Sequence, residues 1–218
     1  MRWLYAFSLL LIASALAFKI FQPIQVLPRI RLAPAFSMVD QNGERLTSDR
    51  LQGQITLYTF TYTRCTAPCV NPDLMMQEIQ RRLAEEPLST PVSLVSISFD
   101  PQHDTPDVLR TYAERVGAER GRWYIATTSD ESLLKTIIGA GFEVYYQPRA
   151  DGSFDFSPVF ILVDGWGIVR GEYRYQTEVP TVERILRHLR VLDEEVRNSH
   201  GVARLAYEAA HLFLCYAQ

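Results

Sequence analysis

Cys65 and Cys69 stand four positions apart in the run Thr-Arg-Cys-Thr-Ala-Pro-Cys. A stretch rich in β-branched and aromatic residues, 55–63, ends just before them, and Asn71 and Pro72 just after them suit a helix start. Such a junction lies beyond the carboxyl end of a strand, where open α/β sheets form their sites. The unpaired N–H groups of a helix N-terminus favour thiolate over thiol, and Arg64 adds positive charge alongside. If the turn is helical, a spacing of four puts both sulfurs on one side. They can then close a disulfide or grip one soft metal ion. A structural disulfide in an exported protein is the plainer alternative. A bridge enclosing three residues removes little entropy from the unfolded chain, so it makes a poor staple.

Few other residues suit this chemistry. His103 follows a second buried strand, 92–99, where it can reach the same rim as a metal ligand or simply be solvated. Met75 and Met76 offer soft thioethers, but Met75 fits an apolar helix stripe and reads as core. His211 and Cys215 share a helix face at i, i+4 and could bind metal, but two ligands without a third are a weak case that a packed or exposed helix explains better.

The 218 residues are 47% hydrophobic and 22% charged, enough for one buried core. A net charge of −3 gives no basic footprint for a nucleic-acid partner. Residues 3–18 are uncharged, somewhat short of the roughly 20 that span a bilayer comfortably. Lys19 can extend the segment by snorkelling. Ala15-Leu16-Ala17 also reads as a cleavage site, so 1–21 is a membrane anchor or a signal peptide, with the anchor favoured. Either way the remainder is expected outside the cytoplasm, on the periplasmic or extracytoplasmic face, or in the intermembrane space of a mitochondrion.

Pro23, Pro28 and Pro34 mark 22–34 as an extended tether. A folded domain over 35–195 follows, then an amphipathic helix over 196–218 that packs on the domain or on a partner. Within the domain, Asn42-Gly43 predicts a hairpin, and strands are predicted at 55–63, 92–99, 123–126, 142–146, 159–163 and 168–175. Helices are predicted from residue 71, with Leu74, Met75, Ile79 and Leu83 as the inward stripe, and at 105–116, 131–138 (ended by Gly139) and 182–191. This order implies an α/β fold: a central mixed sheet with helices on both faces, an N-terminal β-hairpin and an extra C-terminal helix.

With these elements in place, the chain resembles the Sco/SenC family over about residues 34–192. The resemblance rests on Phe36-Ser-Met-Val-Asp-Gln-Asn-Gly43, Leu51-Gln-Gly53, Tyr62-Thr63-Arg64-Cys65 with Cys69, Ser96-Ile-Ser-Phe-Asp100-Pro101, Asp104-Thr105-Pro106, Tyr145-Tyr146 and the Asp164 turn. It implies a thioredoxin-like fold, an N-terminal anchor and delivery of Cu(I) to cytochrome c oxidase. The partner would be an oxidase subunit or another copper or thiol protein. It also implies a copper site made of both cysteines and a downstream histidine in an Asp-His-Ser/Thr context. Here that context reads Asp155-Phe156-Ser157, and Thr66 and Val70 replace the family's prolines after each cysteine. A phenyl ring has no lone pair for copper. Pro158 looks similar to the cis-proline that faces the disulfide in thioredoxin-like reductases.

Two functions follow. One is a copper chaperone and thiol-redox factor for the oxidase copper centre, acting through Cys65 and Cys69. The other is a copper-independent thiol-disulfide oxidoreductase in which Cys65 attacks and Cys69 resolves. A peroxiredoxin-type peroxidase is weaker, because Tyr62 stands where that chemistry uses Thr or Ser.

Overall fold

The run of β-branched and aromatic residues at 55–61 forms the centre of the molecule, and every one of its side chains is buried. Full burial on both faces requires cover above and below the sheet. The computed structural model describes residues 2–21, 24–65, 72–177, 179–201 and 203–212. Helix α1 (Arg2–Phe21) precedes β1 (Arg31–Leu32), β2 (Ser37–Asp40), β3 (Arg45–Thr47) and the central β4 (Ile55–Thr61). Then come α2 (Asp73–Glu85), β5 (Val92–Ser98), α3 (Pro106–Val116), β6 (Trp123–Thr127) and α4 (Glu131–Lys135). β7 (Tyr146–Pro148), β8 (Phe154–Phe156), β9 (Val159–Val163), β10 (Ile168–Arg174), α5 (Val182–Asn198) and α6 (Ala203–Leu212) complete the order.

Among the described residues, eight strands form one sheet in the order β1-β10-β9-β4-β5-β6-β2-β3, and β7 and β8 form a separate hairpin. The β4–β5 and β5–β6 pairs are parallel and the other pairs antiparallel, so the sheet is mixed as expected. Ile55 and Leu57 look to one face, where Met76 of α2, Leu109 of α3 and Ile185 of α5 cover them. Tyr58 and Phe60 look to the other, against Leu134 of α4 and the segment through Phe142 and Val144. Helices therefore lie on both faces.

Several expected elements differ in detail. The strand expected at 142–146 is absent: Phe142 N–H donates to the Ile137 carbonyl at 2.9 Å and Val144 N–H to that of Ile138 at 3.0 Å. The helix runs past Gly139 as a π-turn over Thr136–Gly141, and Glu143 takes a positive φ of 56° to leave it. Phe142 and Val144 look like strand alternation in sequence, but both are pinned under the sheet. In α2, Met76 and Ile79 are fully buried while Leu74 is 77% exposed. Leu74 lies two residues, about 200° of helix, from Met76, so both cannot face the core. The final domain helix extends to Asn198, seven residues beyond its expected end.

The segment expected to be a tether is packed from Val26 onward. Val26 and Leu27 are buried, and β1 pairs with β10 at the sheet edge. Arg170, 1% exposed, makes this possible. Its guanidinium donates to the Leu27 carbonyl at 2.8 Å and the Pro28 carbonyl at 3.1 Å, and pairs with Asp164 at 2.9 Å and Glu195 at 2.7 Å. Helix α6 closes over the same region, with Ala210 against Val26 and Glu208 paired to Arg29 at 2.9 Å. Among the described residues no helix is long and apolar enough to cross a membrane. The side chains of Trp3, Leu4, Phe7, Leu9, Leu10 and Ile12 on α1 are all more than half exposed.

Arg170→Met removes the cation and leaves two buried carboxylates facing each other. The expected loss is about 3–5 kcal/mol of stability, read from the denaturant midpoint. An unchanged midpoint would show that the segment is held by apolar contacts alone.

Candidate functional site

Cys65 lies four residues past the end of β4, 5% exposed, with its N–H donating to the Tyr62 carbonyl at 3.1 Å. It is a disulfide-bonded cysteine whose partner lies outside the described residues. Cys69, Thr66, Val70 and Asn71 also lie outside them, as does Cys215. Helix α2 begins at Asp73, so its N-terminus follows the cysteine loop in the expected order.

What holds Cys65 in place is a carboxylate one strand away. Asp104, fully buried, accepts from the Thr63 N–H at 2.9 Å, the Thr63 hydroxyl at 2.5 Å and the Ser98 hydroxyl at 2.5 Å. These bonds tie the exits of β4 and β5 together two residues before the cysteine. Pro106 at the first turn of α3 fixes the helix that follows Asp104. His103 reaches the same rim, as its loop position suggested, with Nδ1 3.0 Å from Asp104 and 3.4 Å from the Thr63 hydroxyl.

Arg64 turns the other way. Its Nη2 lies 2.5 Å and its Nε 3.1 Å from the Asp100 carboxylate, and these bonds raise the guanidinium pKa. The positive charge expected beside the thiols is therefore compensated locally. Asp100, His103 and Asp104 bring ligand atoms within 4.8 Å of one another. Arg64 already occupies Asp100, and chain donors occupy both oxygens of Asp104, so the cluster is a hydrogen-bond network before it is a metal site.

The hairpin β7–β8 covers the site. Phe99 is its anchor, with ring centroids 5.1 Å from Tyr146, Phe154 and Phe156 alike. Tyr62, three residues before Cys65, packs on Phe154 at 5.0 Å and Phe156 at 6.2 Å. Burial in this cluster pushes the Tyr146 phenol up to about 12. At the hairpin tip Gly152 takes a φ of 79°, which favours glycine, and the tip lies beside the Arg64 guanidinium. Phe156 is thus part of an apolar cover on the cysteine side of the sheet. Pro158 directly precedes β9, and the Thr59–Phe160 pairing, extended by two residues, sets it level with Thr61 at the same end. Of the thioethers, Met76 is fully buried in the opposite core and Met75 packs against that core.

Asp104, Phe99 and Tyr62 entered the sequence reading only through the family resemblance, and Tyr62 also against a peroxidase; none was expected to build the site. Asp104 had one usable signal, an acid placed directly before Thr-Pro at a helix start.

A mixed sheet with a cysteine beyond its central strand and helices on both faces is the thioredoxin-like architecture, and solved structures agree. BsSco, described as a member of the Sco family of cytochrome c oxidase assembly proteins with a disulfide switch, matches with a TM-score of 0.67 at 21% identity. That match covers 77% of this chain and 96% of BsSco. Arabidopsis thaliana ScoI with copper bound matches with a TM-score of 0.63 at 22% identity, covering 76% of this chain and 98% of the other. A Stutzerimonas stutzeri protein named for copper binding is 29% identical over 175 residues, 78% of this chain and 81% of that protein. The SCO1/SenC family description matches residues 25–191. The chain belongs to the SCO1/SenC family.

Asp104→Ala strips the acceptor from the Thr63 N–H and from two hydroxyls. Hydrogen bonds to a charged group contribute about 1.5–3 kcal/mol each, so thermal unfolding should come markedly earlier. Alkylation of Cys65 in the reduced variant should be faster than in the parent. A variant with parental melting and alkylation would remove Asp104 from this account.

Proposed function

We propose that the chain is a membrane-tethered, extracytoplasmic copper-handling and thiol-redox factor for the copper centre of cytochrome c oxidase. Cys65 and Cys69 are its working pair, a disulfide when oxidised and a Cu(I)-binding dithiolate when reduced. The observation that carries this reading is the placement of Cys65 beyond the central strand of a SCO1/SenC-family chain. Two soft thiolates suit Cu(I), which is cargo here rather than a resident cofactor. The names of the relatives, one for copper binding and one for oxidase assembly, support the same direction. Helix α1 is not long and apolar enough to cross a membrane, but its exposed apolar side chains call for an apolar medium, and it is the proposed anchor by lying in the lipid surface.

A second reading is favoured by Phe156. With a phenyl ring under Tyr62 and Phe99, the position of the family's histidine contributes packing and no ligand. His103 is the remaining histidine on that rim, and its Nδ1 is turned to Asp104. The same cysteines then act as a dithiol reductase. The Cys65 thiolate attacks a client disulfide and releases one client thiolate. Cys69 then attacks the Cys65 sulfur, releases the second client thiolate and leaves the Cys65–Cys69 disulfide. Two electrons pass to the client, and an external dithiol resets the pair. Pro158, level with the end of β4, is the residue proposed to face that exchange, with a cis peptide bond.

The discriminating experiment is titration of the reduced full chain in detergent with Cu(I) against a competing chelator. One copper per chain, lost in Cys65→Ser/Cys69→Ser and retained in His103→Ala, is the expected outcome. Absence of competitive binding, together with reduction of a disulfide-containing copper acceptor, contradicts copper handling and leaves the reductase reading.

A further inference from the structure

Large apolar side chains are exposed at one end of the sheet, opposite the cysteine. Ile30 is 47%, Leu32 74% and Trp166 66% exposed. Residues 30 and 32 alternate with Arg31, which turns away to Glu172 at 2.6 Å and the Phe142 carbonyl at 2.9 Å, so Ile30 and Leu32 share the other side. Leu32 and Trp166 line a common shallow cavity. They are held together by the pairing of Leu32 with Ile168 and the bond from Ala33 N–H to the Gly167 carbonyl at 2.8 Å. The patch therefore sits on the open edge strand and the β9–β10 turn. Both are stiffened by Arg170, which reaches Asp164 of the turn and the carbonyls of Leu27 and Pro28.

We propose that this edge docks on the lipid surface in which α1 is anchored, with Trp166 at the headgroup level. The proposal rests on the anchor reading of α1. Chain connectivity argues for lipid as the occupant. From Phe21 at the end of α1 to the buried Val26 is five residues, at most about 17 Å of extended chain. The patch begins four residues after Val26, so a membrane that takes up α1 lies within reach of it. An indole with an apolar body and an N–H suits the polar–apolar boundary, and aliphatic neighbours suit the layer below. Helix α6, tied to the same segment through Arg29 and Glu208, exposes Leu205 and Leu212 seven residues apart on one helix side.

Docking has a consequence for the site. The β9–β10 turn follows Val163, which pairs with Thr56 near the start of β4, whereas Cys65 lies beyond its other end. β4 has seven residues at about 3.3 Å each, so the cysteine is carried roughly 20 Å above the lipid surface. It faces away from the bilayer, toward a partner domain that projects from the same membrane.

The test uses the full chain with Trp3→Phe, reconstituted in phosphatidylcholine vesicles, which leaves Trp166 and the buried Trp123 as indoles. Lipids carrying a nitroxide near the headgroup should remove most Trp166 emission, chain-end nitroxides should remove less, and aqueous iodide should lose access to it. Adding Trp166→Phe should abolish the lipid-quenched component. Retention through alkaline carbonate with Trp166 still open to iodide and unquenched by lipid overturns the docking alone. Release of the chain by carbonate overturns the anchor reading and the docking with it.

Discussion

The buried carboxylate of Asp104 is the constraint on which the site depends. Two parallel strands that end side by side present backbone groups with no sheet partner, and those groups need acceptors if the loops above them are to hold one shape. Asp104 satisfies the Thr63 N–H and gathers the hydroxyls of Thr63 and Ser98. It thereby joins the exits of β4 and β5 and sets where the chain turns into the cysteine loop. Arg64 and Asp100 pair on the side facing the β7–β8 hairpin, where Phe154 also packs on Tyr62, so an ion pair and aromatic rings meet on the same side of the chain leading to Cys65.

The cover over the site has a different physical origin from its floor. β7 and β8 are too short to be stable as an isolated hairpin, and they belong to no larger sheet. Their hold on the body is the stacking of Tyr146, Phe154 and Phe156 around Phe99 and Tyr62. A histidine at 156 would bring a polar ring into that cluster; a phenylalanine completes its packing. Phe156 at this position thus joins the hairpin to Phe99 and Tyr62 by packing alone.

Much of this was legible in sequence where local pattern and tertiary packing agree. The β-branched run at 55–63, the Asn42-Gly43 hairpin and the Asp164 turn declare themselves through strong residue preferences, and the structure keeps all three, with the strand ending at Thr61. The 142–146 segment was not legible, because Phe142 and Val144 alternate like a strand while a π-turn supplies their backbone bonds. The packed stretch from Val26 to Leu32 was hidden for a related reason. Its order comes from Arg170, more than a hundred residues away, and a lone arginine in a strand pattern gives no sign that it will be buried. For the site, the cysteines and His103 were visible as chemistry, whereas Asp104 and Phe99 act only through what they hold.

The central claim is that copper handling in this chain rests on Cys65 and Cys69 without an imidazole from the hairpin. X-ray absorption at the copper edge of the reduced, Cu(I)-loaded full chain tests it most directly. The account predicts a first shell of sulfur scatterers, unchanged in a Phe156→Leu variant and abolished by Cys65→Ser. Imidazole scattering that persists when His103 is replaced by alanine would contradict it.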